Sequence, residues 1–507
     1  MSTEIISPSY ITPGAFAQVN VAMGPGTAAI GEREVVLVGP KLSTGTYTAA
    51  SLYQVDRLDD VKTGAGAGSP LHRAARRFLM GNRVTKLWVL PVAETSGAGS
   101  VAALTIIVVT ANVTAAGWAE IWICGEQFRY VYGLTDTATT IGDGLAALIN
   151  GATHLPVTAV NITGSITITA KLKGISQNNT IRWRTNVAPS TGVSFGTTSG
   201  YIGSTTPGAE GSTTEAANLA TALSTLDADA EYFIGITECD STSIGNLVTH
   251  LAACAQPLVG LRKRGFVGFN GSKSSAATLA VARNYERLHM VWQDTGPHDS
   301  AELMAGVLAV YALNENVDPS WAPVGYRKVD FTLLPAFAQS DWPTGAEISD
   351  ALSSGLIPIC SDKNGAYIAD GVTTRSKDAT KAYNDFRGLY SERISMGDAL
   401  AARCVNTWVL RYQGKKLDTD ETLANGSVNA NQLYNSATVK PSQARDMIAE
   451  ILTQASADKE IVNLSKSLAS LSAAPSSSNS QRLVCSFDFE TIGYARQATF
   501  SANEVSR

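Results

Sequence analysis

Five histidines, His72, His154, His250, His289 and His298, are the natural general bases and metal ligands of this chain, and none stands in an HExxH pair or beside a carboxylate-rich loop. His298-Asp299-Ser300 sets a base, an acid and a hydroxyl side by side. Consecutive side chains diverge, so the trio reads as a loop or helix cap and not as a hydrolytic triad. There is no G-x-S-x-G elbow. Gly64-Ala-Gly-Ala-Gly-Ser69 comes nearest to a phosphate-cradling loop, but a serine takes the third glycine position and no convincing buried strand precedes it. It reads as a flexible loop. Gly268-Phe-Asn-Gly-Ser-Lys-Ser274 holds a lysine without P-loop spacing and reads as a strand-to-helix turn. Cys124, Cys239, Cys254, Cys360, Cys404 and Cys485 are widely spaced and never form CxxC, so buried free thiols are expected. Arg73, Arg76 and Arg77, and the run Arg262-Lys263-Arg264, read as solvated basic faces. The sequons at Asn112 and Asn161 read as chance. No catalytic residue, metal or cofactor is expected.

The elements must therefore be read for architecture. The 507 residues suffice for about three domains. Hydrophobic residues make up 44%, which excludes wholesale disorder, and charged residues only 16%, against about 25% in a typical soluble protein. A net charge of −5 argues against a nucleic-acid grip, and the low charge hints at surface covered by partners. No run approaches the ~18 apolar residues of a membrane span, so no stable membrane insertion is expected. The N-terminus lacks the pattern of a signal peptide.

Alternating strands and helices begin with a strand over 34–39, a helix over 70–80 and a strand over 86–91. Residues 94–205 then turn rich in Thr, Val, Ile, Gly and Ala. They read as short strands at 104–110, 119–124, 127–132, 157–160 and 165–170, with one helix at 140–150. Small-residue loops at both borders mark this segment as an insertion. From 206 to 385 the alternation resumes: helices at 214–226, 241–256 and 274–286, and strands at 232–236, 265–269 and 289–292. A proline-rich stretch follows, then strands at 355–360 and 366–370. Repeated strand–helix units imply a mainly parallel sheet. A further α+β unit is expected over 386–480, with helices at 394–408 and 442–471, Pro441 opening the second.

Both ends read as extended strand arms. Residues 1–25 carry Ala15, Phe16, Val19 and Val21 between prolines and glycines, and residues 481–507 carry Val484, Phe487, Phe489, Thr499 and Phe500. Gly24, Gly26 and Pro475 are the candidate hinges, the last within a Ser/Ala-rich stretch at 472–480. A lone strand has unpaired N–H and C=O groups and must find a sheet edge. If that edge belongs to another copy, the chains become linked by strand addition.

The order of parts resembles the tail sheath proteins of Mu-like contractile phages. The arm from Pro13 to Val21 runs into Arg33-Glu-Val-Val-Leu-Val-Gly39. Gly68-Ser-Pro-Leu-His72 looks like the family's Gly-Ser–Leu-His helix start with a proline inserted. Lys86-Leu-Trp-Val-Leu-Pro91 precedes the insertion, and Phe386-Arg-Gly-Leu-Tyr-Ser-Glu-Arg393 opens the C-terminal unit. The resemblance implies a multidomain α/β fold. Its subtilisin-like core, without catalytic residues, spans 26–93 and 206–385, a mainly-β outer domain is inserted at 94–205, and an α+β domain at 386–480 lies next to the tail tube. It implies hexameric rings stacked helically around that tube, arms shared between subunits, and contraction that drives the tube through the host envelope. The implied partners are further copies, the tube protein, and baseplate and tail-terminator proteins. Location in the virion after assembly in the host cytoplasm follows the same resemblance. Lys459 and Lys466 become candidate tube contacts, and Cys485 a candidate for an intersubunit disulfide. An α/β hydrolase-like enzyme with a carbohydrate-binding β insertion is the alternative, and another virion component, a tube or an adhesin, is a third reading.

Overall fold

The computed structural model describes residues 32–327 and 343–496, apart from 179, 230, 257, 295, 363, 424–427, 430–431 and 478–480. Within them the chain forms two compact units, residues 32–398 with 491–496, and residues 399–490.

The larger unit opens with β1 (Val35–Pro40), β2 (Tyr53–Gln54), α1 (Leu58–Ala65), α2 (Pro70–Gly81) and β3 (Leu87–Val92). The first two residues of the expected glycine loop are thus helix: α1 runs through Gly64 and Ala65 and stops at Gly66, whose φ of +90° leaves the helical range. Ser69 then caps α2, its hydroxyl accepting from the His72 N–H at 3.1 Å, with Pro70 in the first turn.

The inserted region comprises β4 (Ala102–Ala111), β5 (Gly117–Ile123), β6 (Glu126–Tyr132), α3 (Ala138–Gly151), β7 (Val157–Ile162), β8 (Ser165–Lys173), β9 (Arg182–Val187), β10 (Val193–Phe195) and β11 (Ser199–Tyr201). Two four-stranded sheets, β10-β4-β8-β7 and β11-β9-β5-β6, enclose one core with Ile107, Ile121, Ile166 and Trp183 inside and α3 packed against them. Period-2 alternation sends Ile107 inward and Ile106 and Val108 outward. The two chain crossings into this region are stitched together. Ser96 N–H donates to Thr213 Oγ1 at 3.0 Å, and Val101 and Ala209 exchange N–H to O bonds, both 3.0 Å.

The sheet resumes through α4 (Glu215–Ser224), β12 (Phe233–Ile236), α5 (Ser241–Cys254), β13 (Arg264–Asn270), α6 (Lys273–Arg283), β14 (Leu288–Gln293), α7 (Ser300–Glu315), α8 (Gly345–Ser353), β15 (Leu356–Asp362) and β16 (Gly365–Ile368). Its eight strands run in the order β16-β15-β14-β13-β12-β1-β3-β2, parallel except for the antiparallel edges β2 and β16. Alternate residues feed two cores: Val35 and Leu37 on the α2–α7 side, Val36 and Val38 on the side of α4 and α5. The central helix α7 is buried on every face from Leu303 to Ala312. It sits so close to the sheet that a Cβ at Gly268 would lie 2.0 Å from the Ser300 carbonyl oxygen.

The two basic runs are not solvated faces. Arg73 and Arg77 are buried on α2, and the Arg73 Nε donates to Asp299 at 2.7 Å. Lys263 and Arg264 are buried as well. Arg264 and Arg33 converge on Glu315, with closest separations of 2.6 and 2.9 Å, and His289 accepts from Arg264 Nε at 3.1 Å. Local arginine density gave no sign of these partners, because each carboxylate lies far along the chain.

α9 (Ser391–Arg411) contains the boundary between the units. The smaller unit continues with β17 (Lys416–Leu417), β18 (Thr438–Val439), α10 (Pro441–Ala457), β19 (Ile461–Val462), α11 (Leu464–Ser470), β20 (Ser472–Pro475) and β21 (Leu483–Ser486), and β22 (Glu490–Thr491) contains the second boundary. The single helix expected over 442–471 is broken in two. Lys459 and Asn463 adopt left-handed φ values of +64° and +54°. That turn buries Glu460 against Arg403, whose Nη2 donates to it at 2.7 Å, and buries Ile461. Pro441 stands in the first turn of α10 as expected.

Candidate assembly interface

Ala15, Phe16, Val19, Val21, Gly24, Gly26, Thr499 and Phe500 lie outside the described residues. The remaining expected site residues fall in the smaller unit. Val484 is an exposed residue of β21, paired with Ala474 of β20, and Pro475 pairs with Leu483. The first half of the expected hinge is therefore a paired strand, because Ser472, Ala473 and Ala474 find a ladder partner that composition does not reveal. Phe487 and Phe489 follow β21, half-buried, with ring centroids 6.4 Å apart.

The ribbon's open edges can be assigned. Ser476 N–H donates to the Arg482 carbonyl at 2.7 Å, which makes 476–482 a hydrogen-bonded pair. Antiparallel pairing alternates, so Ala474–Val484 and Ser472–Ser486 are also bonded pairs, and Leu483 and Cys485 direct their N–H and C=O groups outward. On β20 the outward positions are Ala473 and Pro475, and proline offers no N–H there. The β21 edge is thus the complete acceptor of a further strand, and the β20 edge is blunted. Neither edge has a partner among the described residues. The apolar face of α10, with Met447, Ile448, Ile451 and Leu452 buried, gives this unit its core.

Lys459 is exposed at the left-handed turn, and Lys466 on α11 is exposed and bound to Glu490. The sequence reading missed a neighbouring apolar surface: Val405, Val409 and Leu410 on α9 are exposed. Its signal was present, since Cys404-Val-Asn-Thr-Trp-Val-Leu410 is apolar beyond a single stripe.

In open parallel sheets ligands commonly bind where the strand order reverses, here between β1 and β12. That position is closed: a Cβ at Gly39 would meet Thr237 Oγ1 at 2.4 Å. Burial pushes Glu238 beside it up to about 8 and Glu215 up to about 7. Asp299 caps α7 by accepting from the Glu302 N–H at 2.8 Å, as a cap reading of 298–300 requires. His298 is driven down to about 4, first by burial and against the pull of Glu302. Cys254, His250 and Asp227 do line up, Sγ to Nε2 at 3.6 Å and Nδ1 to Oδ1 at 3.0 Å. Burial raises the thiol and lowers the imidazole, the reverse of an activated thiolate–imidazolium pair. Cys124 and Cys360 are buried too, Cys239 and Cys404 are half-buried, and Cys485 is exposed. Among the described residues no helix is long and apolar enough to cross a membrane.

Fold and site together define a multidomain α/β protein whose smaller unit carries a two-stranded ribbon with no further strand paired to it among the described residues. In sequence it is similar to the Mu-like prophage FluMu tail sheath protein of Haemophilus influenzae, 26% identical over 408 residues, 80% of each chain. The resemblance read from the sequence is thereby borne out. No protein-family profile matches. Among solved structures, the sheath tail protein of Desulfitobacterium hafniense aligns with 94% of this chain and 100% of its own, at 14% identity and a TM-score of 0.46. The sheath tail protein Lin1278 of Listeria innocua aligns with 92% of this chain and 94% of its own, at 12% identity and a TM-score of 0.46.

Proposed function

We propose that this chain is the structural subunit of a contractile phage tail sheath, polymerising around a tail tube and contracting to drive it through the host envelope. The observation that carries the reading is the likeness to a Mu-like tail sheath protein along 80% of both chains. The hydrolase alternative lacks comparable support, because the aligned thiol and imidazole are buried and unactivated.

In this reading the eight-stranded unit is the subtilisin-like core and residues 94–205 are its outward domain. Residues 386–480 face the tube, with Lys459 and Lys466 as salt-sensitive contacts that release on contraction. The terminal arms, from Ala15 to Val21 and from Val484 to Phe500, bind sheet edges of neighbouring copies, and Gly24 and Gly26 bend between them. Partners are hexameric rings of the same chain, the tube, the baseplate and the tail terminator. Assembly takes place in the host cytoplasm and the product belongs to the virion. Main-chain bonds at the β21 edge suit this role because they depend on backbone and survive rotation of whole domains. Overexpression should give tubes of uniform diameter in negative-stain micrographs. Removing residues 1–25 should leave folded, non-assembling protein, and removing 482–507, which also takes away β21 of the ribbon, should likewise abolish tubes. Normal tubes from both deletions would reject the arm mechanism, and turnover of a glycoside or ester lost on one substitution would favour the hydrolase.

A further inference from the structure

The loop after α4 and the last turns of α5 bring three chemically different metal ligands together. One donor atom each from Asp227, His250 and Cys254 lies within 4.8 Å of the other two. His250 and Cys254 are four residues apart on α5, so both project from one helix face. The two are buried, whereas the Asp227 side chain is 64% exposed and opens the cluster to solvent. The buried Lys263 donates to the Leu226 carbonyl, which fixes the backbone next to Asp227. The nearest carboxylate to the Lys263 ammonium is that of Glu231, 3.9 Å away.

We propose that Asp227, His250 and Cys254 form a binding site for a thiophilic divalent cation of the zinc class, with a water as fourth ligand. Cysteine sulfur, imidazole nitrogen and carboxylate oxygen are the donor set such ions take, and one open position is common for them. Binding takes one nitrogen of the His250 ring, displacing the hydrogen bond which that nitrogen now makes to Asp227 or Cys254, replaces the thiol proton by the metal and releases that proton to solvent. A thiolate and a carboxylate then offset the two positive charges, which leaves a neutral centre suited to a half-buried position. Because Asp227 belongs to the connector and the other two ligands to α5, the ion pins that connector to the helix and stabilises the larger unit. The site is independent of the sheath reading.

The test titrates the chelator-treated full-length chain with Co²⁺, and then with Zn²⁺ in competition. One Co²⁺ per chain is expected, with a thiolate-to-cobalt charge-transfer band in the near ultraviolet that Zn²⁺ abolishes. Cys254→Ser should lose the band, His250→Gln should weaken binding at least tenfold, and Cys239→Ser should keep both band and affinity. The wild-type chain supplies a readout that needs no variant: Zn²⁺ should slow alkylation of Cys254, read by peptide mass spectrometry, and raise the melting temperature. Absence of the cobalt band in the wild-type chain, its survival in Cys254→Ser, or Cys254 alkylation unaffected by Zn²⁺ would overturn the proposal.

Discussion

Replacing Cys485 with proline removes an outward-facing N–H from β21 and leaves the bonded pairs of the ribbon, Ala474–Val484 and Ser472–Ser486, intact. A strand added to this edge bonds through Leu483 and Cys485, each offering one donor and one acceptor. Proline deletes one donor, and its ring pushes the incoming strand from the neighbouring acceptor. At about 0.5–1.5 kcal/mol net per main-chain bond, the loss is about 1–3 kcal/mol at each contact between copies. The critical concentration for assembly should rise roughly 5- to 150-fold. The assay is pelleting against concentration, with circular dichroism to confirm the fold. Cys485→Ser, which keeps the N–H, should assemble like the parent chain. Val484→Pro strikes an inward position and should lose the hairpin itself. Folded Cys485→Pro protein that pellets at the parent's critical concentration would refute the assignment of this edge.

Glu315→Ala leaves Arg33 and Arg264 buried without their carboxylate. It should destabilise the larger unit by about 3–5 kcal/mol in urea unfolding. Glu238 is raised in the fold to about 8, so its contribution is complete below its unfolded value near 4.5 and fades as pH rises through 8. Glu238→Gln should therefore raise the melting temperature at pH 8.5, by about 2–4 °C per kcal/mol recovered, and change little at pH 5. Lys459→Gly relieves a left-handed φ of +64° and should stabilise the smaller unit by about 1 kcal/mol. The same change should weaken tube binding in a salt-dependent co-sedimentation assay if the lysine faces the tube.

The parallel sheet was legible in the sequence because its strands are short apolar runs between punctuated helices: 34–39 became Val35–Pro40 and 289–292 became Leu288–Gln293. α7 was not. It is apolar around its whole circumference, so it shows none of the one-sided period by which a helix is recognised, and only the sheet and α2 around it explain that composition. The break after Ala457 was hidden for the opposite reason. The apolar period of α10 runs on into Val462 and Leu468, and the turn depends on the Arg403–Glu460 pair, made across more than fifty residues. The C-terminal strand was legible, but its partner was not, since β20 lies in a stretch whose composition suggests a linker. The Asp227–His250–Cys254 cluster left only the four-residue interval of its last two members as a trace.

The stitched crossings beneath the inserted sheets have an evolutionary consequence. Gly97 and Ser212 nearly touch, a Cβ on the glycine falling 2.1 Å from the serine Oγ, so a short bridge of two or three residues would close the gap. The lineage can therefore lose, enlarge or exchange this module without disturbing the frame below. Insertion and frame can then change independently within one gene.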